Sequence, residues 1–271
     1  MKRRLAAIAL VAAALLVVAL PLARRSSHAH RAPTAVNAPA VPGRFVKRTF
    51  ADHGIAYQYQ VFFPRDYDAA RRWPVVVALH GSAEKGDDNE RQTQTGAGPV
   101  VLSQADSFPA VAVFPQVPSE GQGIGHAPAI ARLIDAVVRD VNGDTTRLYL
   151  TGLSFGGVVA YLVAREHPGR FAALVPVSAP LVIQPGDRGT RLSPAAAGTD
   201  EARVLGGTSV WIFQGAHDSN VPAADTRAVV QSLSRAGIPV HYTEYADGSH
   251  EIWDRVYRDP AFWRWLFAQH R

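Results

Sequence analysis

A short serine-containing turn between two regular elements constrains the fold of this chain more than any other feature. The sequence Leu-Tyr-Leu-Thr-Gly-Leu-Ser-Phe-Gly-Gly at 148–157 places Gly152, Ser154 and Gly156 in a G-x-S-x-G pattern. The residues before the turn are typical of a strand, and Phe155–His167 has the apolar spacing of a helix. Small neighbours permit a sharp turn that holds the serine hydroxyl at the carboxyl edge of a sheet, beside a helix N-terminus. We therefore predict a strand–turn–helix unit with Ser154 as its exposed nucleophile.

The rest of the chain repeats this alternation of strands and helices. The predicted strands are Arg44–Ala51, Ile55–Phe63, Pro74–Leu79, Ala110–Phe114, Arg147–Thr151, Ala172–Ser178, Ser209–Gln214 and Val240–Tyr245. The predicted helices are Ala127–Val141, Phe155–His167, Ala223–Ala236 and Pro260–Gln269. The continuous Val-rich run in Pro74–Leu79 is typical of a strand buried on both faces. The pattern predicts the α/β fold class: a doubly wound, mostly parallel sheet whose N-terminal strands are antiparallel and joined by a hairpin turn at 52–54.

Two loops after predicted strands supply the partners that a serine nucleophile requires. A serine hydroxyl becomes nucleophilic when a histidine takes its proton and a carboxylate orients that histidine. In folds of this class the three residues follow in the order serine, acid, histidine. Asp218 lies in the loop after Ser209–Gln214, and His250 lies in the loop after Val240–Tyr245. We therefore predict a Ser154–Asp218–His250 triad.

Other titratable residues in the same region fit these roles less well. His217 directly precedes the candidate acid, where we expect only local packing or bonding, and His241 lies inside a predicted strand. Asp225 and Asp254 fall within helical stretches. None of the four occupies a loop at the carboxyl end of a strand in the required order.

An acyl-transfer site of this kind also needs donors for the negative charge that develops on the substrate oxygen. One donor is expected to be the backbone N–H of Phe155, which follows the nucleophile. The second is expected from the loop after Pro74–Leu79, where we choose the backbone N–H of Ser82 and keep its neighbour Ala83 as the alternative. We interpret the His80 side chain as holding this loop in place.

No metal or cofactor site is predicted. The chain has no cysteine, which excludes thiolate nucleophiles, disulfides and cysteine-based metal sites. Asp87 and Asp88 are adjacent in a loop, where carboxylates are more often solvated or bonded to backbone amides. The ten histidines have no HExxH or comparable ligand spacing.

The N-terminal segment predicts export from the cytoplasm. Residues 1–30 carry three early cations, an uncharged apolar run of 18 residues at 5–22 and then an Arg pair, which is the pattern of a targeting segment. A run of this length is either a cleaved signal peptide or a signal anchor, because it reaches the lower limit for spanning a bilayer. We expect a Pro/Ala linker at 31–43 and a catalytic domain at 44–271 that is periplasmic or secreted and contacts the membrane only through the N-terminal segment.

The distribution of charge excludes a nucleic-acid-binding role. The chain has 28 Lys and Arg against 23 Asp and Glu, a net charge of +5, but six of the cations lie in residues 1–31, before the first acidic residue. Residues 32–271 therefore carry 22 cations against 23 anions, a net charge of −1. Phosphate binding requires a basic surface on the domain itself. We expect no nucleic-acid partner, and the sequence leaves the oligomeric state open.

One long segment does not fit the alternation. Residues Gln184–Gly207 are rich in Gly, Pro, Ala and Thr and contain no predicted strand or helix. Loops of this length inside a compact domain are usually functional or mobile. We predict a lid or a substrate-facing insertion here.

Five sets of residues together resemble the α/β-hydrolase superfamily. They are Leu79–Ser82 with Gly86–Asn89, Phe114–Gln116, Gly152–Gly157, Gly215–Asp218 with Val221-Pro222, and Gly248–His250 with Trp253. Within that superfamily the chain is similar, over about residues 55–270, to secreted bacterial esterases. This group includes feruloyl and acetylxylan esterases, polyhydroxybutyrate depolymerase-like proteins and the phospholipase/carboxylesterase-type "predicted peptidases". The resemblance implies an acyl hydrolase without a cofactor, and Gln116 and Trp253 as substrate-pocket candidates.

These observations lead to one leading hypothesis and two alternatives. The leading hypothesis is an exported serine carboxylic-ester hydrolase that forms an acyl-enzyme and acts on a small-molecule or polysaccharide-linked ester. The first alternative is a serine peptidase that uses the same residues on an amide, although no segment is long enough for the propeller domain that such peptidases commonly carry. The second is a non-catalytic anchored binding protein on a hydrolase scaffold, which an intact triad disfavours.

Overall fold

The computed structural model describes residues 35–36, 40–120, 123–179 and 205–271. The chain divides into two units, Met1–Ala32 and Pro33–Arg271, and every described residue belongs to the second. The predicted targeting segment at 1–30, most of the linker at 31–43 and most of the insertion at Gln184–Gly207 lie outside these residues and stay predictions. Within the described ranges, no helix is both long and apolar enough to cross a membrane.

The described part of the chain contains one mixed sheet of nine strands. In chain order the strands are β1 (Ala35–Val36), β2 (Phe45–Asp52), β3 (Ile55–Phe62), β4 (Trp73–Leu79), β5 (Val111–Pro115), β6 (Gly143–Leu153), β7 (Ala173–Val177), β8 (Ser209–Gly215) and β9 (Val240–Tyr245). Their order in the sheet is β1-β2-β3-β5-β4-β6-β7-β8-β9. Strands β1, β2, β3 and β5 pair antiparallel, whereas every pairing from β5 through β4 to β9 is parallel. The predicted fold class is confirmed.

The described chain has six α-helices, four between strands and two after the last strand. They are α1 (Ala97–Ser103), α2 (Ala127–Asp140), α3 (Phe155–Glu166), α4 (Ala223–Arg235), α5 (Trp253–Arg258) and α6 (Pro260–Ala268). Short 3₁₀ turns lie at Ser82–Glu84, Arg91–Thr93 and Gly123–His126. Helices α1 and α5 were not predicted, because elements of seven and six residues are too short to display a helical repeat.

The alternation of side chains in β4 shows why helices cover both faces of the sheet. Val75, Val77 and Leu79 belong to a buried cluster that includes apolar residues of α2, α3 and α4. Val76 and Ala78 point to the opposite face and join a second cluster with α1, α5 and α6. Because successive side chains of a strand point to opposite faces, a continuous apolar strand must be covered on both sides.

The hairpin at the antiparallel edge forms where the sequence predicted it. Asp52 pairs with Ile55, so only two residues make the turn. Those residues, His53 and Gly54, have φ of +46° and +83°. Two positive φ values are typical of the two-residue turns that match the twist of adjoining strands. The parallel half of the sheet lies beyond this edge and carries the candidate site.

Candidate active site

Ser154 occupies a strained turn between β6 and α3. Its φ is +48° and its ψ is −118°, a conformation that L-residues rarely adopt, and its backbone N–H donates to Val177 O at 2.8 Å. Glycines make the turn possible because a Cβ on Gly152 would lie 2.3 Å from the Gly156 carbonyl oxygen. A Cβ on Gly156 would in turn lie 2.3 Å from the carbonyl oxygen of Leu79. The start of α3 is therefore pressed directly against the carboxyl end of β4.

The three residues predicted as a triad lie in hydrogen-bond contact. His250 Nε2 is 2.9 Å from Ser154 Oγ, and His250 Nδ1 is 2.8 Å from Asp218 Oδ2. A carboxylate oxygen only accepts hydrogen bonds at neutral pH, so the Nδ1–H of His250 donates to it. The lone pair on Nε2 then faces the serine hydroxyl. This is the arrangement in which a histidine can take the hydroxyl proton.

The Asp218 carboxylate is held in one orientation by four donors. Its Oδ1 accepts from the backbone N–H groups of Asn220 and Val221, each at 2.8 Å. Its Oδ2 accepts from Gln214 Nε2 and His250 Nδ1, also at 2.8 Å each. The side chain has no exposed surface. The carboxylate therefore cannot rotate away from the imidazole without breaking several bonds at once.

Close packing between the two loops brings Asp218 and His250 together. Asp218 follows β8 and His250 follows β9, which are parallel neighbours. A Cβ on Gly215 would lie 2.0 Å from the carbonyl oxygen of Ser249, so the second loop lies directly on the end of β8. The ring of Trp253 meets the His250 ring edge to face, with 5.6 Å between centroids. Trp253 is half-buried beside the histidine, a position that suits a pocket wall.

The two predicted backbone donors come from neighbouring segments. Phe155 is the first residue of α3, and Ser82 begins the 3₁₀ turn after β4. The contact of Gly156 with the end of β4 brings these segments side by side. The Phe155 ring is covered by the ammonium group of Lys85, 5.1 Å from its centroid. The placement fits an oxyanion hole built from backbone N–H groups.

His80 braces the loop that carries Ser82. Its side chain is 3% exposed, its Nδ1 lies 2.6 Å from Gly81 O, and its Nε2 lies 2.9 Å from the backbone N of Val117. The Val117 N–H can only donate, so Nε2 is the unprotonated nitrogen and Nδ1–H donates to Gly81. Burial lowers the pKa of His80 from 6.5 to about 4. The ring is therefore neutral at physiological pH and joins the loop to Val117, the second residue after β5.

Gln116 was predicted to line the substrate pocket, and the structure corrects this. Its side chain is fully buried, and its Oε1 accepts from the backbone N–H of Asn89 at 2.8 Å. Its Nε2 donates to Glu84 O and to Asp88 Oδ1, each at 3.0 Å. Both atoms of the amide are therefore hydrogen-bonded within the protein, where they join the loop after β4 to the end of β5. Gln116 braces the loop after β4 and has no exposed surface with which to line a pocket.

The remaining titratable residues play no part in the triad. His217 and His241 are exposed, and His241 packs beside the rings of Trp211 and Trp265. Asp88 accepts from the backbone N–H groups of Glu90 and Arg91, as expected of a carboxylate that bonds to amides. In the part of the chain that the structure describes, no group of three or more His, Cys, Asp or Glu is placed to hold a metal ion.

Sequence reasoning missed two supporting residues. Gln214 and Thr226 are buried next to Asp218, and Gln214 donates directly to its carboxylate. The available signal was a glutamine at the end of the otherwise apolar run of β8. A polar side chain in a strand buried on both faces requires a partner.

Comparisons with known proteins find similarity to esterases. The family described as "Esterase PHB depolymerase" matches residues 57–238. A bifunctional acetylxylan esterase/xylanase of Neocallimastix patriciarum is 29% identical over 136 residues, and feruloyl esterase B of Thermothelomyces thermophilus is 28% identical over 141 residues. The alignments cover 48% and 46% of this chain but only 19% and 44% of those proteins. The solved structure of a thermostable esterase matches with a TM-score of 0.69 and 28% identity, over 85% of this chain and 64% of that one.

Proposed function

Because the chain belongs to the esterase PHB depolymerase family, as the resemblance predicted, we propose that it is a serine carboxylic-ester hydrolase. The observation that carries the proposal is the continuous contact from Asp218 through His250 to Ser154. This contact supplies a nucleophile, a base and an orienting carboxylate at the carboxyl edge of the sheet. The fold, shared with a solved esterase, supports the same reading.

The chemistry follows from the roles of these three side chains. Ser154 Oγ attacks the ester carbonyl carbon while His250 Nε2 takes the hydroxyl proton, and the carbonyl electron pair moves onto the oxygen. The backbone N–H groups of Phe155 and Ser82 stabilise that oxyanion. The tetrahedral intermediate then collapses: the carbonyl re-forms, the bond to the alcohol oxygen breaks, and that oxygen takes the proton from His250 and leaves as an alcohol.

A second half-reaction releases the acid. Water attacks the carbonyl carbon of the acyl-enzyme while His250 accepts one of its protons. Collapse of the second intermediate returns the proton to Ser154 Oγ and frees the carboxylic acid. Asp218 remains ionised throughout and stabilises the imidazolium in both halves. The two half-reactions use only the ester substrate, water and groups of this chain.

The names of the relatives suggest the substrate class. Acetylxylan and feruloyl esterases are the proteins to which the chain is similar. We therefore propose that this chain cleaves small-molecule esters or the acyl esters of polysaccharides. Turnover across acyl chain lengths and across acetylated and feruloylated polysaccharides tests this class, and a strict preference for peptides or anilides would contradict it.

We also propose that the domain works outside the cytoplasm. The support is the arrangement of cations and apolar residues in residues 1–30. Cell fractionation followed by N-terminal sequencing of the recovered protein tests both parts of the proposal. A new N-terminus near residue 30 indicates a cleaved signal peptide, an intact leader in the membrane fraction indicates an anchor, and protein confined to the cytoplasm contradicts export.

The central experiment replaces the nucleophile. Ser154→Ala is expected to abolish turnover of p-nitrophenyl acetate and labelling by a fluorophosphonate probe, since both reactions require the serine oxygen. Ser219→Ala, which alters an exposed serine beside Asp218, serves as the control and is expected to retain both. Labelling that persists in Ser154→Ala would overturn the assignment of the nucleophile.

A further inference from the structure

A buried glutamine shares the acid's carboxylate with the catalytic histidine. Gln214 has no exposed surface, and its Nε2 lies 2.8 Å from Asp218 Oδ2. That oxygen is also the one that accepts from His250 Nδ1. The same Nε2 lies 3.0 Å from Val221 O. Gln214 therefore contacts both the acid and the loop that holds it.

The surroundings allow only one orientation of the Gln214 amide. Asp218 Oδ2 and Val221 O can only accept hydrogen bonds, so the NH₂ group must face them. On the opposite side, the hydroxyl of Thr226 lies 3.1 Å from Gln214 Oε1 and donates to it. Thr226 is 5% exposed and stands in the first turns of α4. The two acceptors thus set the orientation of the amide, and the bond from Thr226 holds the amide in the place where it presents a donor to the acid.

The two oxygens of Asp218 differ in how they are held. Oδ1 is bonded by backbone N–H groups of its own loop, at Asn220 and Val221. Among the described residues, Oδ2 receives side-chain donors only from Gln214 and His250. Without Gln214, the one side-chain donor left on Oδ2 in this part of the chain is the histidine that it is meant to orient, and only the two backbone bonds to Oδ1 still limit rotation of the carboxylate. A buried network of this kind specifies one geometry only when every member is satisfied.

From these contacts we infer that Gln214 is a positioning residue for Asp218 and that Thr226 orients Gln214. The inference rests on the proposed function, since it concerns the acid of the proposed triad. Gln214 touches neither substrate nor reacting atoms. It acts by keeping Oδ2 aligned with the Nδ1–H of His250, which in turn keeps Nε2 aimed at Ser154.

The alternative role is purely structural, because Gln214 also links β8 to α4. Replacement of a purely structural residue lowers the free energy of unfolding but leaves the turnover of the folded enzyme unchanged. Ile212→Ala provides the matched control, because Ile212 lies on the same strand, is 1% exposed and carries no hydrogen-bonding group. It is expected to destabilise the fold with kcat within about twofold of wild type.

The first test compares Gln214→Met with this control. Methionine keeps the length of the side chain but removes the donor. We expect kcat for p-nitrophenyl acetate to fall about tenfold with little change in KM, as for an interaction that matters mainly in the transition state. If kcat stays within twofold of wild type while stability falls as in Ile212→Ala, the positioning role is wrong.

The second test uses Thr226 and does not depend on Gln214→Met folding well. Thr226→Val keeps the shape but removes the hydroxyl, and Thr226→Ser keeps the hydroxyl. We expect about a threefold loss of kcat in Thr226→Val and recovery to near wild type in Thr226→Ser. The proton NMR resonance of the His250 Nδ1–H should move in Thr226→Val and return in Thr226→Ser. Equal behaviour of the two variants in both measurements would overturn the inference.

A labelling measurement separates this inference from the proposed function. If a fluorophosphonate labels the wild type at Ser154 and Ser154→Ala is silent, the proposed function holds whatever the Gln214 and Thr226 variants do. If Ser154→Ala is still labelled, the proposed function itself fails. Normal labelling of the wild type together with unchanged kcat in Gln214→Met and Thr226→Val rejects the positioning role alone.

Discussion

The two sides of the candidate site are held together in different ways. On the acid side, apart from the contact between His250 and Asp218, the groups that bond Asp218 or its partner Gln214 lie 2 to 12 residues apart in sequence, from Gln214 to Thr226. On the oxyanion side, the loop after β4 is held by bonds that join residues 27 to 37 apart, through Gln116 and His80. The first side is a local loop structure, and the second depends on strands brought together by the fold.

This difference matches what each side would contribute in the proposed chemistry. The acid side presents side chains, so its residue types are specified by the reaction and are recognisable in the sequence. The oxyanion side presents backbone N–H groups, which every residue but proline carries. Its specificity therefore lies in the buried side chains that fix the backbone, such as His80 and Gln116. We expect substitutions of the buried side chains around Asp218 to reduce turnover more than stability, and substitutions on the oxyanion side to reduce both turnover and stability.

The largest effect is expected from the acid itself. Asp218→Asn places an amide opposite His250, which favours the wrong tautomer of the imidazole. We expect kcat to fall by about 10⁴-fold, the scale seen for this change in other triads, while the protein stays folded. Asp225→Asn, an exposed aspartate on α4, is the control. Steady-state kinetics measures the fall in kcat, and urea unfolding checks that the variant stays folded. A loss of kcat of less than tenfold would mean that Asp218 is not the acid.

The next effect concerns the oxyanion side and appears as pH-dependent stability. Because burial lowers the pKa of His80 to about 4 in the folded protein, against 6.5 for a solvated histidine, the unfolded chain binds the proton first as the pH falls. The stabilising contribution is therefore complete above about pH 6.5 and is lost towards pH 4, amounting to about 3 kcal/mol.

His80→Gln removes this titration without affecting other groups. Urea unfolding of wild type and variant between pH 8 and pH 4 gives the difference in unfolding free energy, which should shrink by about 3 kcal/mol towards pH 4. His241→Gln, an exposed histidine, should show no such trend. A constant difference across this range would mean that folding does not lower the pKa of His80.

A third prediction tests whether the oxyanion side couples stability to turnover. Gln116→Met leaves the Asn89 N–H and the Glu84 carbonyl without their partner. We expect the unfolding free energy to fall by about 2 kcal/mol. We also expect kcat/KM to fall about tenfold, because the Ser82 N–H is no longer held in place. Val113→Ala, a cavity variant on the same strand β5, should lose stability but keep turnover.

The smallest effect is expected on the outer surface of the acid side. Arg227 is the neighbour of Thr226 on α4 but points outward, where it bonds Glu244 at 2.7 and 2.8 Å. Half of its side chain is exposed, so Arg227→Met should cost less than about 1 kcal/mol of stability. Its kcat should match wild type, in contrast to Thr226→Val. A loss of turnover equal to that of Thr226→Val would mean that α4 as a whole, and not the inward hydroxyl, supports the acid.

The contrast between local and long-range contacts also explains which features could be predicted from the sequence. The strand that ends just before Ser154, the parallel sheet and the order of Ser154, Asp218 and His250 all have local signatures, and the structure brings the three residues into contact. The family resemblance is confirmed by the match over residues 57–238. The bracing role of Gln116 was missed because its partners come from a segment about 30 residues away in sequence, and no periodicity marks such a contact.

Local signals also failed where an element was short. Helices α1 and α5 contain seven and six residues, too few to show a repeat, and both form by packing on the second face of the sheet. Gln214 was overlooked for another reason, since it ends an apolar strand and looks like a strand terminus. Its importance appears only when Asp218 is seen to fold back over it.

The positive φ of Ser154 sets selection for catalysis against selection for stability. A non-glycine residue held in this conformation costs about 1–3 kcal/mol, and glycine would adopt it freely. A lineage selected for folding alone would therefore replace the serine with glycine, and one selected for turnover must keep it. The stability of the rest of the domain must offset this cost, so the strain at position 154 leaves the chain less tolerant of further destabilising mutations.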